Sequence, residues 1–260
     1  MEEKNTLCLG LDVSTTTIGV CLLEYNADGY VKIIELTHIN PKVSSKIKGI
    51  EQLFLKKQIF EKFITKYKDL DITKVIIEEP LMRSNNINTC STLLRFNGMI
   101  SDCVYNVLGV VPEYISSYDA RKYSFPELMA IRKYGKDGKQ YDYKKILKEI
   151  KESKLVLFGS YSWEVDKKTV MQDKVSKLFP EIEWIYNKKG ELKKENFDAA
   201  DSCVALMGYL NHEKYGDIDF KTSNIDVSET ETGLKIEYDV SYWDKSEHRV
   251  TYVDKKSEVV

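Results

Sequence analysis

The sequence lacks the features that mark disulfide-rich, zinc-binding and membrane-spanning proteins. Its five cysteines are scattered along 260 residues, and no two of them form a Cys-x-x-Cys pair. This odd, isolated set predicts reduced thiols in a cytoplasmic protein and argues against a disulfide framework or a zinc site. No apolar run approaches the roughly 20 residues of a membrane helix, and the initial Met-Glu-Glu-Lys does not resemble a signal peptide. We therefore expect no membrane partner.

The chain also lacks a strong overall charge. It has 39 lysines and arginines against 41 aspartates and glutamates, so nucleic-acid binding would have to use a local basic patch. Such a patch is indicated at 121–168, where 13 basic residues meet 7 acidic ones, whereas 213–260 has 7 against 12. The alternative is that the lysine-rich stretch is a solvated surface, and both interpretations remain open here.

Hydrophobic periodicity predicts an α/β protein. Apolar alternation indicates strands over residues 6–12, 15–24, 30–36, 73–78 and 110–116. Helical spacing indicates helices over residues 45–68, 88–108, about 165–178 and 197–210. This βββ-α-β-α-β-α-α order is typical of a mixed sheet flanked by helices. Alternation over 234–242 and 249–253 predicts a C-terminal β-hairpin.

Four acidic residues stand where this pattern would bring them together. Asp12 and Glu78 each end an apolar strand, and Asp198 and Asp201 lie three residues apart on one face of a helix. Burying a carboxylate is costly unless it is paired or binds a metal. Three or four converging carboxylates suit hard cations such as Mg²⁺ or Mn²⁺, and two such ions roughly 4 Å apart can clamp a phosphate for hydrolysis.

Each acidic residue also has a simpler explanation. Asp12 could cap the turn formed by Ser14 and the following threonines, and Asp198 could complement the positive end of its helix. Glu78 could reach solvent from the end of its strand, and Glu79 is an alternative ligand although it should point to the opposite face. Asp201 is hardest to explain this way, because it lies among small residues of a closely packing helix.

Several motifs resemble the RuvC-type Holliday junction resolvases of the ribonuclease H-like superfamily. They span residues 5–212 and comprise Gly10-Leu11-Asp12-Val13-Ser14 with Thr17 and Gly19, Ile77-Glu78-Glu79-Pro80, Arg95-Phe96-Asn97-Gly98, and Asp198-Ala199-Ala200-Asp201. The resemblance implies a ribonuclease H-like five-stranded mixed sheet over residues 1–212, with a basic insertion at about 125–163. Residues 213–260 would then form an acidic C-terminal β-hairpin extension.

The resemblance also implies an activity and a set of site residues. The expected protein is a homodimeric endonuclease that resolves four-way DNA junctions with two Mg²⁺ ions, for which Mn²⁺ can substitute. Asp12, bridging both ions, and Glu78, Asp198 and Asp201 would be the ligands, with Lys168, or alternatively Lys167, assisting. Helix 88–108 would form the dimer interface. The candidate DNA contacts are Arg83, Arg95, Arg121, Lys122 and Lys168.

Two departures from the family pattern bear on the substrate. Leu81-Met82-Arg83 stands where the family usually offers an aromatic residue that enters the junction. The insertion and the extension make the chain longer than typical bacterial members, which suggests a phage- or virus-encoded version acting in the host cytoplasm.

Three other functions compete with junction resolution. A related ribonuclease H-like nuclease for flaps or RNA–DNA hybrids would use the same metal chemistry. An ATP-binding protein of the actin and sugar-kinase class would explain Leu11-Asp12-Val13-Ser14 as a phosphate loop, but it needs a duplicated domain and a second glycine-rich loop. A non-catalytic binding module would have no reason to retain all four acidic residues.

Overall fold

The computed structural model describes most of the chain in two compact units. The described residues are 5–26, 29–80, 86–125, 156–158, 161–162, 167–216, 218–230, 233–244 and 249–259. One unit contains Met1–Ala120 and Met171–Tyr209, and the other contains Arg121–Val170 and Leu210–Val260. Arg83 and most of the predicted insertion at 125–163 lie outside the described residues.

The first unit begins with three antiparallel strands, as predicted. These strands are β1 (Thr6–Val13), β2 (Ile18–Asn26) and β3 (Gly29–Ile39). The side chain of Asn26 accepts a hydrogen bond from the backbone N–H of Gly29 at 3.2 Å, and Gly29 has a φ of 138°. A residue with a side chain would be strained in this conformation, which explains the glycine at the start of β3.

Two further strands complete the sheet, and each is preceded in the chain by a helix. The chain continues through α1 (Gly49–Ile64), β4 (Ile72–Glu78), α2 (Ile87–Leu108) and β5 (Glu113–Ile115). The strand order is β3-β2-β1-β4-β5, with β4 parallel to both β1 and β5. The predicted α/β class is confirmed, because the described residues form a mixed five-stranded sheet flanked by helices.

One face of the sheet carries the main hydrophobic core. Alternate residues of β1, including Leu9, Leu11 and Val13, pack with side chains of α1 and α2 such as Phe60 and Phe96. Residues between them in β1 must point to the other face, since side chains alternate along a strand. That other face is covered by a helix near the C-terminal end of the first unit.

The later helices are α3 (Ser117–Ser124), α4 (Lys167–Leu178) and α5 (Glu195–Tyr215). The central part of α5 is almost wholly buried, in keeping with its small and apolar residues. Its approach to α3 is close, because a Cβ atom on Gly208 would lie 2.4 Å from the carbonyl oxygen of Ala120. No described helix is long and apolar enough to cross a membrane.

The second unit contains a C-terminal antiparallel sheet and a short strand pair. The pair is β6 (Val156–Phe158) with β7 (Tyr161–Ser162). The larger sheet has the order β10-β9-β8 and consists of β8 (Ile218–Thr230), β9 (Gly233–Asp244) and β10 (Arg249–Val259). Strands β9 and β10 form the predicted hairpin. Strand β8 was not predicted, because its pairing register shifts between Ser223 and Asp226 and its sequence does not alternate cleanly.

We expect none of the five thiols to react in the folded protein, because all five cysteines are buried. Hydrogen bonding to Cys203 and burial raise the pKa of the Cys21 thiol, and burial raises the pKa of Cys103 to about 11. The thiolate is the reactive form, so the native protein should resist Ellman's reagent near neutral pH. The unfolded protein should release five equivalents of thionitrobenzoate, one for each cysteine. Rapid labelling of the native chain would contradict this packing.

Candidate metal centre

The carboxylate of Asp12 belongs to the face of the sheet that does not carry the main core. Its neighbours Leu11 and Val13 are part of the core packed against α1 and α2. Asp12 must therefore point to the opposite face, at the carboxyl end of β1. Its side chain is partly buried there.

Glu78 occupies the corresponding position on the adjacent strand. Strands β1 and β4 are parallel, and Leu11 is in register with Ile77, so Asp12 and Glu78 lie level at the same edge of the sheet. Ile77 belongs to the main core, which puts Glu78 on the same face as Asp12. The next residue, Glu79, is exposed and belongs to the opposite face by the same alternation. Strand geometry therefore favours Glu78 over Glu79 as a member of the site.

Two glycines allow helix α5 to lie directly on this face of the sheet. A Cβ atom on Gly10 would lie 2.3 Å from the carbonyl oxygen of Ser202 and 2.7 Å from the Cβ atom of Leu206. A Cβ atom on Gly19 would lie 1.9 Å from the carbonyl oxygen of Asp198. Gly19 pairs directly with Asp12 across β1 and β2, so the first turn of α5 is held beside Asp12.

The result is a cluster of three carboxylates. One oxygen from each of Asp12, Asp198 and Asp201 lies within 4.8 Å of the other two. Asp201 is only 9% exposed, and the other two are partly buried. The structure thus brings together three of the four predicted ligands. Glu78 lies on the adjacent strand and the same face but is not a member of this close cluster.

Carboxylates this close to one another repel when they are ionised, and nearby positive charge stabilises them. At an effective dielectric constant of about 20, two ionised groups at this separation repel by about 3 kcal/mol. The positive end of α5 offsets part of this repulsion. A hard divalent cation offsets far more, and a set of carboxylate oxygens is the donor type that Mg²⁺ and Mn²⁺ prefer, so these residues fit such an ion.

The buried thiols near this face do not compete for such a metal. Cys21 is fully buried, and hydrogen bonding to Cys203 together with burial raises its thiol pKa, which keeps it protonated at neutral pH. Metals bind the thiolate form, so a raised pKa weakens cysteine as a ligand. The centre is therefore an oxygen site.

Hydrogen bonds order the loop that follows Asp12. The hydroxyl of Ser14 donates to the carbonyl oxygen of Thr17 at 2.8 Å and accepts from the Thr17 N–H at 3.0 Å. The Thr17 hydroxyl then donates to the side-chain oxygen of Asn40 at 3.1 Å. From α1, the Lys56 ammonium donates to the carbonyl oxygen of Thr15. The loop is thus fixed on both sides, which restricts the backbone beside Asp12.

Asn97 is a supporting residue to which the sequence alone assigned no role. It is buried in α2, and its side-chain amide donates to the carbonyl oxygens of Leu93 at 3.0 Å and Val13 at 3.5 Å. The available signal was a polar residue between Phe96 and Ile100 in an otherwise apolar helix face. Asn97 links α2 to the end of β1, one residue after Asp12.

The predicted basic residues have varied surroundings. Arg95 is exposed on α2, and Lys168 is exposed in the first turn of α4. Arg121 is partly buried on α3. Lys122 is only 8% exposed, and its ammonium lies 5.0 Å from the centre of the Tyr123 ring. Lys122 is thus the least accessible of these four to a phosphate.

Structural comparisons found similar folds at low sequence identity. Thermus thermophilus RuvC in complex with a Holliday junction substrate is 8% identical with a TM-score of 0.49, and the match covers 81% of this chain and 96% of that one. A second Thermus thermophilus RuvC structure is 10% identical with a TM-score of 0.45, covering 81% and 97%. The yeast mitochondrial Holliday junction resolvase Ydc2 is 13% identical with a TM-score of 0.44, covering 79% and 78%. No protein-family model and no curated protein matches the chain.

Replacing Gly19 with alanine should displace the first turn of α5, which carries Asp198, from the sheet. The Gly19→Ala methyl group would collide with the backbone of Asp198, and overpacking of this kind typically costs about 1–3 kcal/mol. We expect a lower unfolding temperature and a weaker response to Mn²⁺ in thermal melts. Gln58→Ala is the control for stability, because Gln58 is exposed on α1 and alanine suits a helix. Equal melting and equal Mn²⁺ response in wild type and Gly19→Ala would contradict the close packing of α5 on Gly19.

Divalent metal should stabilise the folded chain through the three carboxylates. At an ion concentration about 100 times the dissociation constant, the gain would be about 2.7 kcal/mol. Asp201→Asn should abolish most of this gain, yet melt at a higher temperature than wild type in EDTA because one repelling charge is gone. Asp69→Asn, an exposed residue before β4, is the control and should behave as wild type in both buffers. An undiminished Mn²⁺ shift in Asp201→Asn would argue against this ligand set.

Proposed function

We propose that this chain is a metal-dependent endonuclease that resolves four-way DNA junctions in a reducing, cytoplasmic compartment. The observation that carries the proposal is the convergence of Asp12, Asp198 and Asp201, with ligand oxygens within 4.8 Å, at the carboxyl edge of a ribonuclease H-like sheet. Such a cluster suits the binding of divalent ions that act on a phosphodiester. The motif resemblance to RuvC-type resolvases supplies the choice of DNA junction as substrate.

Each acidic residue has a role in this proposal. Asp12, Glu78, Asp198 and Asp201 hold two Mg²⁺ ions, with Mn²⁺ as a substitute. The ions, when bound, activate a water molecule and stabilise the leaving oxygen of the cleaved strand. Asp12 lies between the helix pair and Glu78, so its central position suits a ligand shared by both ions. Asp198 and Asp201 are carried by one turn of α5 and hold their oxygens in a fixed relation.

The basic residues are proposed to contact the phosphate backbone. Arg95 and Lys168 are exposed and accessible, and Arg121 is partly so. Lys168 is also proposed to assist the reaction from the start of α4. Lys122 would have to leave the Tyr123 ring to reach a phosphate. Arg83, beyond the described residues, completes the proposed set.

A homodimer is proposed because a junction is resolved by cutting two strands, which requires two active sites. The proposed interface is α2, following the family resemblance. This helix exposes Leu94 and Tyr105, and Gly98 between them has open space at its Cβ position. A second copy of the helix could approach closely at such a glycine.

The ATP-binding alternative is less well supported. Proteins of the actin and sugar-kinase class need two copies of this sheet. Within the described part of the chain there is one sheet of the order β3-β2-β1-β4-β5. The three-stranded sheet formed by β8, β9 and β10 is entirely antiparallel and has a different order. Nucleotide should therefore not raise the unfolding temperature.

Asp12→Asn should abolish cleavage while leaving junction binding largely intact. Loss of a ligand removes several kcal/mol of metal-derived stabilisation of the transition state, so we expect a rate decrease of at least about 100-fold. The assay compares four-way junctions, flaps, RNA–DNA hybrids and linear duplexes in Mg²⁺, Mn²⁺ and EDTA, with Asp69→Asn as the charge-matched control. Near-normal cleavage by Asp12→Asn would refute the site. Preferred cleavage of flaps or hybrids by wild type would retain the metal chemistry but replace the proposed substrate.

A further inference from the structure

A short hairpin closed by several hydrogen bonds precedes helix α5. We call residues 185–194 the basic turn. Tyr186 and Leu192 form an isolated antiparallel bridge, and the Asn187 N–H donates to the carbonyl oxygen of Glu191 at 2.8 Å. The Asn187 side-chain oxygen accepts from the N–H groups of Lys189 and Glu191, at 2.8 and 3.1 Å. Gly190 closes the turn with a φ of 78°, a conformation that favours glycine. The segment therefore has a defined shape.

Asn196 clamps the basic turn to the helix that carries the metal ligands. Its side chain is 3% exposed, its amide nitrogen donates to the Ile185 carbonyl oxygen at 2.7 Å, and its oxygen accepts from the Ile185 N–H at 3.1 Å. The Lys193 N–H also donates to the Ile185 carbonyl oxygen at 3.0 Å. Since Asn196 lies two residues before Asp198 on α5, the turn and the carboxylate are held by the same helical turn.

The basic turn presents unpaired positive charge. Lys188, Lys189, Lys193 and Lys194 are all exposed, and the described residues offer none of them an ion pair. Glu191 is the only acidic residue in the turn, giving four positive charges against one negative. Its carboxylate accepts a hydrogen bond from the Asn187 side chain at 2.8 Å, so it is engaged within the turn. The four ammonium groups remain available to an external anion.

The distance from the end of the basic turn to the carboxylates is short enough for one nucleic-acid strand to reach both. Lys194 lies four residues before Asp198, so their Cα atoms are separated by at most about 14 Å. Phosphates recur about every 3.4 Å along one DNA strand, which makes this separation at most about four nucleotides. A strand whose cleaved bond lies at the carboxylates can therefore reach Lys194 with a neighbouring phosphate. The positive turn also attracts a polyanion to a site whose own residues repel it.

We propose that the basic turn binds the phosphate backbone of the substrate strand beside the cleaved bond. This inference rests on the proposed nuclease function and names the element that holds the strand in register. Lysine contacts of this kind carry no sequence information, so the turn positions any DNA arm equally. The sequence alone did not single out this segment, because its lysines lie outside the basic stretch at 121–168.

The test compares two double variants with the same loss of charge. One is Lys188→Ala with Lys189→Ala at the tip of the turn. The control is Lys62→Ala with Lys68→Ala, two exposed lysines near the end of α1, before the start of β4 and away from the carboxylate edge. Binding of a fluorescent four-way junction is measured in EDTA over a series of KCl concentrations. Each lost phosphate contact should lower the salt slope by about 0.9, so the tip variant should lose about 1.8 and bind about tenfold more weakly.

A charge-retaining variant separates phosphate binding from a general structural effect. Lys188→Arg with Lys189→Arg should keep the wild-type salt slope, and all variants should melt as wild type does. An alanine variant with the same slope and affinity as the control pair would overturn the inference. If that result is accompanied by normal cleavage in wild type, the proposed nuclease function still stands. If wild type neither binds nor cuts junctions, the proposed function itself fails, and the inference fails with it.

Discussion

The close packing of α5 against β1 and β2 is the contact on which the candidate site depends. Gly10 and Gly19 have no side chains, so the helix backbone approaches the sheet more closely than any Cβ atom would allow. Gly19 is also the direct cross-strand partner of Asp12. The absence of a side chain at Gly19 therefore lets Asp198 lie close to Asp12, although the two are far apart in the sequence. A helix seated further from the sheet would leave the carboxylates of Asp198 and Asp201 apart from Asp12.

This packing brings three carboxylates close enough to repel one another. Three carboxylates within 4.8 Å repel strongly, and burial of Asp201 reduces the screening by water. The hydrogen bonds of Ser14 and Thr17 order the loop that follows Asp12. The fold itself thus holds the three carboxylates together, and bound cations would lower their mutual repulsion.

Four exposed lysines lie in the chain just before the helix that carries Asp198 and Asp201. The chain has a formal net charge of −2, so its surface as a whole does not attract DNA. The basic turn offers a local exception, and Asn196 fixes it to the helix that carries Asp198. The proposed metal ligands and the proposed phosphate contacts are therefore adjacent in the chain, and Asn196 links the two segments.

Local patterns in the sequence were enough to predict the class of fold and the candidate ligands. Apolar alternation and helical spacing predicted the meander, the crossover helices and the strand ends at Asp12 and Glu78. Strand β8 was not predicted, because a register shift interrupts the alternation of apolar residues along it. Folding in three dimensions selected the carboxylates that converge, placing Asp12, Asp198 and Asp201 together and Glu78 on the adjacent strand. It also revealed Asn97 and Asn196 as buried clamps. The physical reason is that convergence and clamping depend on how closely distant segments approach, which no local periodicity encodes.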